Sequence, residues 1–171
     1  MSQADKKVIW CLEKAKRELK ESSLHRGLRE VEKNRELAMK HIAKAEHNLK
    51  AALYLEKGGF SDWSASAFFY CIYHCFLAVV RKFGYESRNQ ECTIAVVEML
   101  KEEGKISISQ EFIDALKIEK AEERQESNVI SLRENFQYTT DLDFKEKEEF
   151  RKLIEICKKA INETRDIIAK E

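Results

Sequence analysis

The stretch Ser61-Asp62-Trp63-Ser64-Ala65-Ser66-Ala67-Phe68-Phe69-Tyr70-Cys71-Ile72-Tyr73-His74-Cys75-Phe76-Leu77-Ala78-Val79-Val80 decides the fold. From Ala65 to Val80 it is apolar on nearly every side, interrupted by Ser66 and His74. A helix that is apolar all round is either buried or membrane-spanning. This one is short for a membrane and carries a histidine, so it reads as the central helix of a bundle, with no membrane span expected. Ser61-Asp62 opens it and Gly84 ends it. At about 1.5 Å per residue it spans roughly 35 Å.

Working outward, Asn34 is a good N-cap for a preceding helix. Ala38, Ile42, Ala45, Leu49 and Ala52 give it one buried face, and Gly58-Gly59 closes it. Further upstream, Asp5 to Glu21 predicts a helix with Val8, Cys11, Leu12, Ala15 and Leu19 on one stripe. The basic, weakly periodic stretch 22–33 reads as a linker or arm. Downstream, Ser87-Arg88-Asn89-Gln90 predicts a capping box for a helix over 88–103 with Ile94, Val97 and Leu100 inside. A fifth helical region should start at Ser107 or Ser109 and reach about Tyr138. Its middle, 119–128, is almost entirely polar and is either a protruding helix or a loop. Asp143-Phe144-Lys145-Glu146 should cap the last helix, with Phe150, Ile154, Cys157, Ile161 and Ile168 inward.

Composition agrees with this reading. The 171 residues include 5 glycines and no proline, where average usage gives roughly twelve and eight. Sheets need turns, and turns draw on both residues, so a sandwich, a barrel or a multi-crossover sheet is excluded. The expected architecture is all-α: an up-and-down bundle of four to five long helices over 34–171, with an N-terminal helix and basic linker over 1–33.

Lys+Arg and Asp+Glu both number 31, so the chain is formally neutral. Residues 1–50 carry an excess of five positive charges, and the rest an equal negative excess. The basic part either packs near the acidic part or offers a face to phosphate. The N-terminus lacks the apolar stretch of a signal peptide. The five cysteines, Cys11, Cys71, Cys75, Cys92 and Cys157, are odd in number and scattered. They read as reduced thiols of a cytoplasmic protein, with no disulfide.

Few residues carry an obvious chemistry. Cys71, His74 and Cys75 share a helix face, yet a structural zinc needs four ligands and no second Cys/His pair is evident. We expect no metal and no cofactor, with both cysteines in the core and His74 holding a hydrogen-bond partner. His41 and His47 lie among Lys40, Lys44 and Lys50 and read as a solvated basic face. The phosphate-cradling glycine loops are missing.

The most informative string is Leu132-Arg133-Glu134-Asn135-Phe136-Gln137-Tyr138. Arg133 follows two apolar positions near a helix end, where a guanidinium can be held against a cleft. Five donors and a permanent charge suit phosphate. Tyr138 offers a hydroxyl and a stacking face for a base, and Asn135 and Gln137 offer polar contacts. On a regular helix, Arg133 and Tyr138 lie about 140° apart. They converge only where the helix ends between them or a second subunit completes the site. The alternative from the residues alone is a structural Arg–Glu pair beside a buried tyrosine.

The string Ser61 to Cys75, with its small-residue start, aromatic pair and Tyr73-His74, resembles the central helix of the HEPN family. The segment Lys44-Ala45-Glu46-His47-Asn48-Leu49-Lys50-Ala51-Ala52 resembles the helix before it. Phe83-Gly84-Tyr85-Glu86-Ser87 resembles the loop after it, and Arg133 to Tyr138 resembles a late R-x4-Y form. The likeness covers about 34–170 in order and points to the stand-alone archaeal and bacterial branch. It implies a helical bundle that dimerises, with its cleft near the shared face. It also implies nucleotide or RNA binding beside a minimal nucleotidyltransferase partner, as in toxin–antitoxin systems. Toxin-like members are metal-independent endoribonucleases using R-x4-6-H. Here Tyr138 stands nearest the place of that histidine, so an efficient enzyme is not expected. The family often has a histidine after the central loop, where this chain has Gln90. Three functions therefore stand side by side: a nucleotide- or RNA-binding homodimer, an endoribonuclease toxin, and a non-catalytic helical interaction module.

Overall fold

The computed structural model describes residues 1–117, 129–144 and 147–170. Seven helices and two short strands make up those residues. Helix α1 (Gln3–Glu21) is followed by strand β1 (Leu28–Glu30), and the long pair α2 (Arg35–Lys57) and α3 (Ser61–Lys82) comes next. After β2 (Tyr85–Ser87) come α4 (Gln90–Glu102), α5 (Gln110–Leu116), α6 (Val129–Tyr138) and α7 (Lys147–Ala169). The fold is an all-α bundle.

Helix α3 is its axis. Phe68, Ile72, Cys75, Phe76 and Val79 are all sealed from solvent. By length and composition α3 could cross a membrane, but most of it is buried within the bundle. Its closest partner is antiparallel α2, and α7, α6 and α4 cover other sides. Alanines 38, 45 and 52 let the α2 and α3 backbones approach closely, and the Ser64 hydroxyl donates to the Ala52 carbonyl at 3.0 Å. Edge-on ring contacts run Phe136–Phe144–Phe150–Phe68 at 5.1, 5.5 and 5.2 Å. They join α6, the loop after it, α7 and α3 into one core. Lys82 donates to the carbonyls of Ile167 and Lys170, satisfying groups that the last turn of α7 leaves free.

Three expectations are corrected. Residues 22–33 are more than a linker: Leu28–Glu30 pairs antiparallel with Tyr85–Ser87. This arm needs glycine at 27, because a Cβ there would meet the Cys11 carbonyl at 2.6 Å and the Ala15 nitrogen at 2.9 Å. It also needs glycine at 84, where φ is 86° and a Cβ would meet the Val31 carbonyl at 2.9 Å.

Second, Cys11 and Cys92 form a disulfide with Cα atoms 5.8 Å apart. Sequence scatter hid this pair because the stripe of α1 lies on α4. Cys71, Cys75 and Cys157 are free and buried.

Third, α4 begins two residues later than the capping box required. Asn89 is its cap, accepting from the Cys92 N–H at 3.0 Å, while the Gln90 amide donates to the Leu116 carbonyl. In the fifth helical region α5 ends at Leu116 and α6 starts at Val129, and the polar middle, 119–128, lies outside the described residues. Residues 145–146 of the last capping box lie outside them too.

Candidate functional site

Helix α3 is covered unevenly. At about 100° per residue, Trp63, Ser66, Tyr70, His74, Leu77 and Arg81 fall on one stripe, and each is exposed or only half-buried. This stripe lies between the sides of α3 that meet α2 and α6. It is the open face of an otherwise sealed helix.

Arg133 reaches this face from α6. Its guanidinium carbon lies 4.1 Å from the centroid of the Phe69 ring, a cation–π stack. Phe69 stacks in turn on Tyr73 at 5.7 Å, with planes only 16° apart, and meets Tyr70 edge-on at 5.1 Å. Tyr73 meets His74 at 6.5 Å, and His74 meets His41 of α2 at 5.3 Å. A continuous line of rings therefore joins Arg133 to His41 across α3. The Tyr73 hydroxyl is anchored by Thr93 of α4 at 3.2 Å. Burial pushes its pKa upward, so it stays a phenol.

The Nδ1 atoms of His41 and His74 are 3.1 Å apart. A contact of that length needs one nitrogen protonated and one bare. Burial, with the positive charges of His41 and Lys44 nearby, pulls His74 down to about 4. Burial and then Arg81 lower His41 as well. Both rings are therefore neutral at pH 7. No carboxylate contributes to either shift.

Hydrogen-bond accounting marks the same region. Among the described residues, four buried side-chain polar atoms lack a partner, and three of them are the nitrogens Asn48 Nδ2, Arg81 Nε and Arg133 Nε. Asn48 shares a stripe of α2 with His41. Each of these three donors lacks an acceptor among the described residues, and buried donors without one are costly.

The other residues expected at the site do not gather there. Helix α6 runs unbroken through Tyr138, so Tyr138 lies about 140° around from Arg133. Tyr138 is 80% exposed. Asn135 and Gln137 are exposed as well, and the Asn135 amide points to Asp141 at 3.5 Å. Arg133 is the one member of the expected set that meets the α3 face. The residues missed are His41, Asn48, Tyr70 and Arg81. His41 is half-buried and paired, which corrects the solvated face expected for it; His47 is exposed. Its signal was available in principle, since His41 lies one turn from Ala38 and Ala45 and next to Ile42, on the rim of their stripe. Cys71 and Cys75 are sealed in the core beside the half-buried His74, and Cys157 joins them there; its contact with Cys71 pushes the Cys71 thiol far up.

A separate cavity of about 700 Å³ opens between α1 and α4, lined by Lys7, Trp10, Gln90, Ile94 and Leu116 among others. Its charged rim is paired internally, Lys7 with Glu91 at 2.6 Å and Lys117 with Glu98 at 2.5 Å.

Comparison with curated proteins and with solved structures gave no significant match. The family model "HEPN domain" matches residues 38–167, from the first turn of α2 almost to the end of α7. That span holds Arg133, the two histidines and the whole open face of α3, and it covers most of the sequence: the chain belongs to the HEPN domain family.

Proposed function

We propose that this protein is a nucleotide- or RNA-binding HEPN module that works as a homodimer. The observation that carries this is Arg133. Its charge rests on the Phe69 ring, with Nε buried and without an acceptor among the described residues. A guanidinium held rigid and half-buried, with no ion pair among the described residues, favours an incoming anion. Tyr70 and Tyr73 beside it supply ring faces for a base, and Asn135, Gln137 and Tyr138 supply polar contacts at the far end of α6. By family likeness, the module acts in the cytoplasm beside a minimal nucleotidyltransferase in a toxin–antitoxin type of system. Co-purification from the native cell tests that partnership.

The test of the binding reading is a titration of RNA and nucleotides against wild type, Arg133→Ala and Tyr138→Phe. Arg133→Ala should lose one charge-assisted contact, roughly a ten- to hundredfold fall in affinity. Unchanged affinity in a folded Arg133→Ala protein would overturn the reading and favour a plain interaction module. RNA cleavage without metal would instead restore the endoribonuclease reading. That reading asks the Tyr138 phenol to do the work of a histidine base.

A further inference from the structure

The open face of α3 has two ends, and Arg133 accounts for one. At the other end, His41, His74 and Arg81 come together from α2 and α3, with Lys44 at the rim. The two imidazoles touch through Nδ1 at 3.1 Å, which leaves both Nε2 atoms for other partners. Arg81 Nε is buried with no acceptor among the described residues. The groups acting on the pair are Arg81, Lys44 and the rings of each other, with the Tyr73 ring against His74. All the charges among them are positive. Such a cluster is an unfilled anion site, since buried donors and like charges both gain from one bound oxyanion.

We propose that His41, His74 and Arg81, with Lys44, form a second phosphate-binding subsite, joined to Arg133 by the aromatic line Phe69–Tyr73. The site deepens the binding reading above and rests on it: it names the phosphate chemistry at the far end of the same face. The phosphate belongs either to a mononucleotide or to the backbone of an RNA strand.

A proton follows from the site's chemistry. In the empty pair, the ring that carries its proton on Nδ1 has a bare Nε2. Phosphate beside that Nε2 favours protonation there, turning an acceptor into a charged donor. The bound state therefore holds one more proton than the free state, and affinity must rise as pH falls.

The experiment titrates wild-type protein with labelled oligouridylate bearing hydroxyl ends, whose phosphodiesters do not titrate in this range, at pH 7.5 and 5.5. A parallel arm uses 3′,5′-cyclic UMP, a mononucleotide whose phosphodiester does not titrate in this range either. The variants are His74→Gln, His41→Gln, Arg81→Gln and Arg133→Ala, each checked for helix by circular dichroism. Wild-type affinity should rise roughly tenfold between pH 7.5 and 5.5, against a ceiling of about tenfold per pH unit for one proton. The rise should vanish in either histidine variant and persist in Arg133→Ala, though that protein binds more weakly. Arg81→Gln should weaken binding about tenfold or more. Whichever arm shows the pattern assigns the phosphate to strand or nucleotide. A wild-type affinity flat with pH, a slope that survives in His74→Gln, or full affinity in Arg81→Gln would each overturn the subsite. Defective histidine variants beside an unaffected Arg133→Ala would remove only Arg133. No binding of either ligand at either pH would remove both.

Discussion

His74 shows how far a single residue departs from its sequence reading. It was expected in the core with a hydrogen-bond partner, and the partner is His41, a residue that looked solvated. Nothing in local sequence announces this, because the contact spans 33 positions and depends on the register of α2 against α3. Arg133 was legible for a local reason: a lone arginine after Val129 and Leu132 near a helix end. Tyr138 was a misleading neighbour, because five residues on an unbroken helix turn it away. The histidine pair also sets a pH dependence of stability in the free protein. Folding lowers His74 from 6.5 to about 4. A histidine so depressed supports the fold above pH 6.5, and that support fades as pH falls towards 4. His74 is only half-buried, so solvent screens part of this, and the loss should be on the order of 1–2 kcal/mol. Urea denaturation at pH 7 and pH 4.5 checks this. His74→Gln should lose distinctly less stability between the two than wild type does. An equal loss would mean that carboxylates elsewhere govern the acid response.

At the scale of elements, the long helices were legible and their joints were not. Periodicity and caps place α1, α2, α3 and α7 to within a few residues, because α1, α2 and α7 each have one apolar face and α3 is apolar nearly all round. The β1–β2 pair escaped because three-residue strands carry too few side chains to show a period. Its evidence lies in Gly27 and Gly84, which read as breakers but are points of close backbone approach. The disulfide escaped because compartment, not spacing, dominated the reading of the cysteines. Both features tie the N-terminal segment to the bundle, so α1 should behave as part of the cooperative unit. Cys11 and Cys92 are 81 residues apart, and closing a loop of that size lowers the entropy of the unfolded chain by the equivalent of roughly 4 kcal/mol. A thermal melt with and without a phosphine reductant should show a clear downward shift on reduction, absent in Cys92→Ala. Gly27→Ala should also destabilise, by about 1–3 kcal/mol, since the arm must move off the α1 backbone. A melt of oxidised wild type that reduction leaves unmoved would mean that the pair is not closed in solution.

At the scale of the whole molecule, the uncovered apolar side chains are not spread evenly. Phe60, Trp63, Tyr138 and Leu142 are 56%, 64%, 80% and 67% exposed. The Asp62 N–H donates to the Leu142 carbonyl at 3.1 Å, so the start of α3 is fastened to the loop that follows α6. Three of these side chains therefore crowd one end of the bundle, and Tyr138 closes the helix leading into it. Scattered apolar residues are normal on a surface, but a cluster of large ones marks a contact. The homodimer proposed above should pair through this end, because the cluster continues the open face of α3, where Tyr70 is 47% exposed. Pairing two copies would also bring Tyr138 of one towards the cleft of the other, which a single α6 cannot do. Such a dimer should bury more than about 1,200 Å² in total, with Trp63 and Phe60 contributing roughly 1.5–3 kcal/mol each on full burial. Light scattering at tens of micromolar should give twice the mass of one chain. Phe60→Ser with Trp63→Ser should give a single chain with unchanged helix, since neither side chain is in the core. If the dimer also completes the binding face, the same double variant should bind RNA more weakly although Arg133 is intact. A wild-type monomer at those concentrations would sink the assembly. A monomeric variant with full RNA affinity would confine the site to one subunit and return Tyr138 to plain surface.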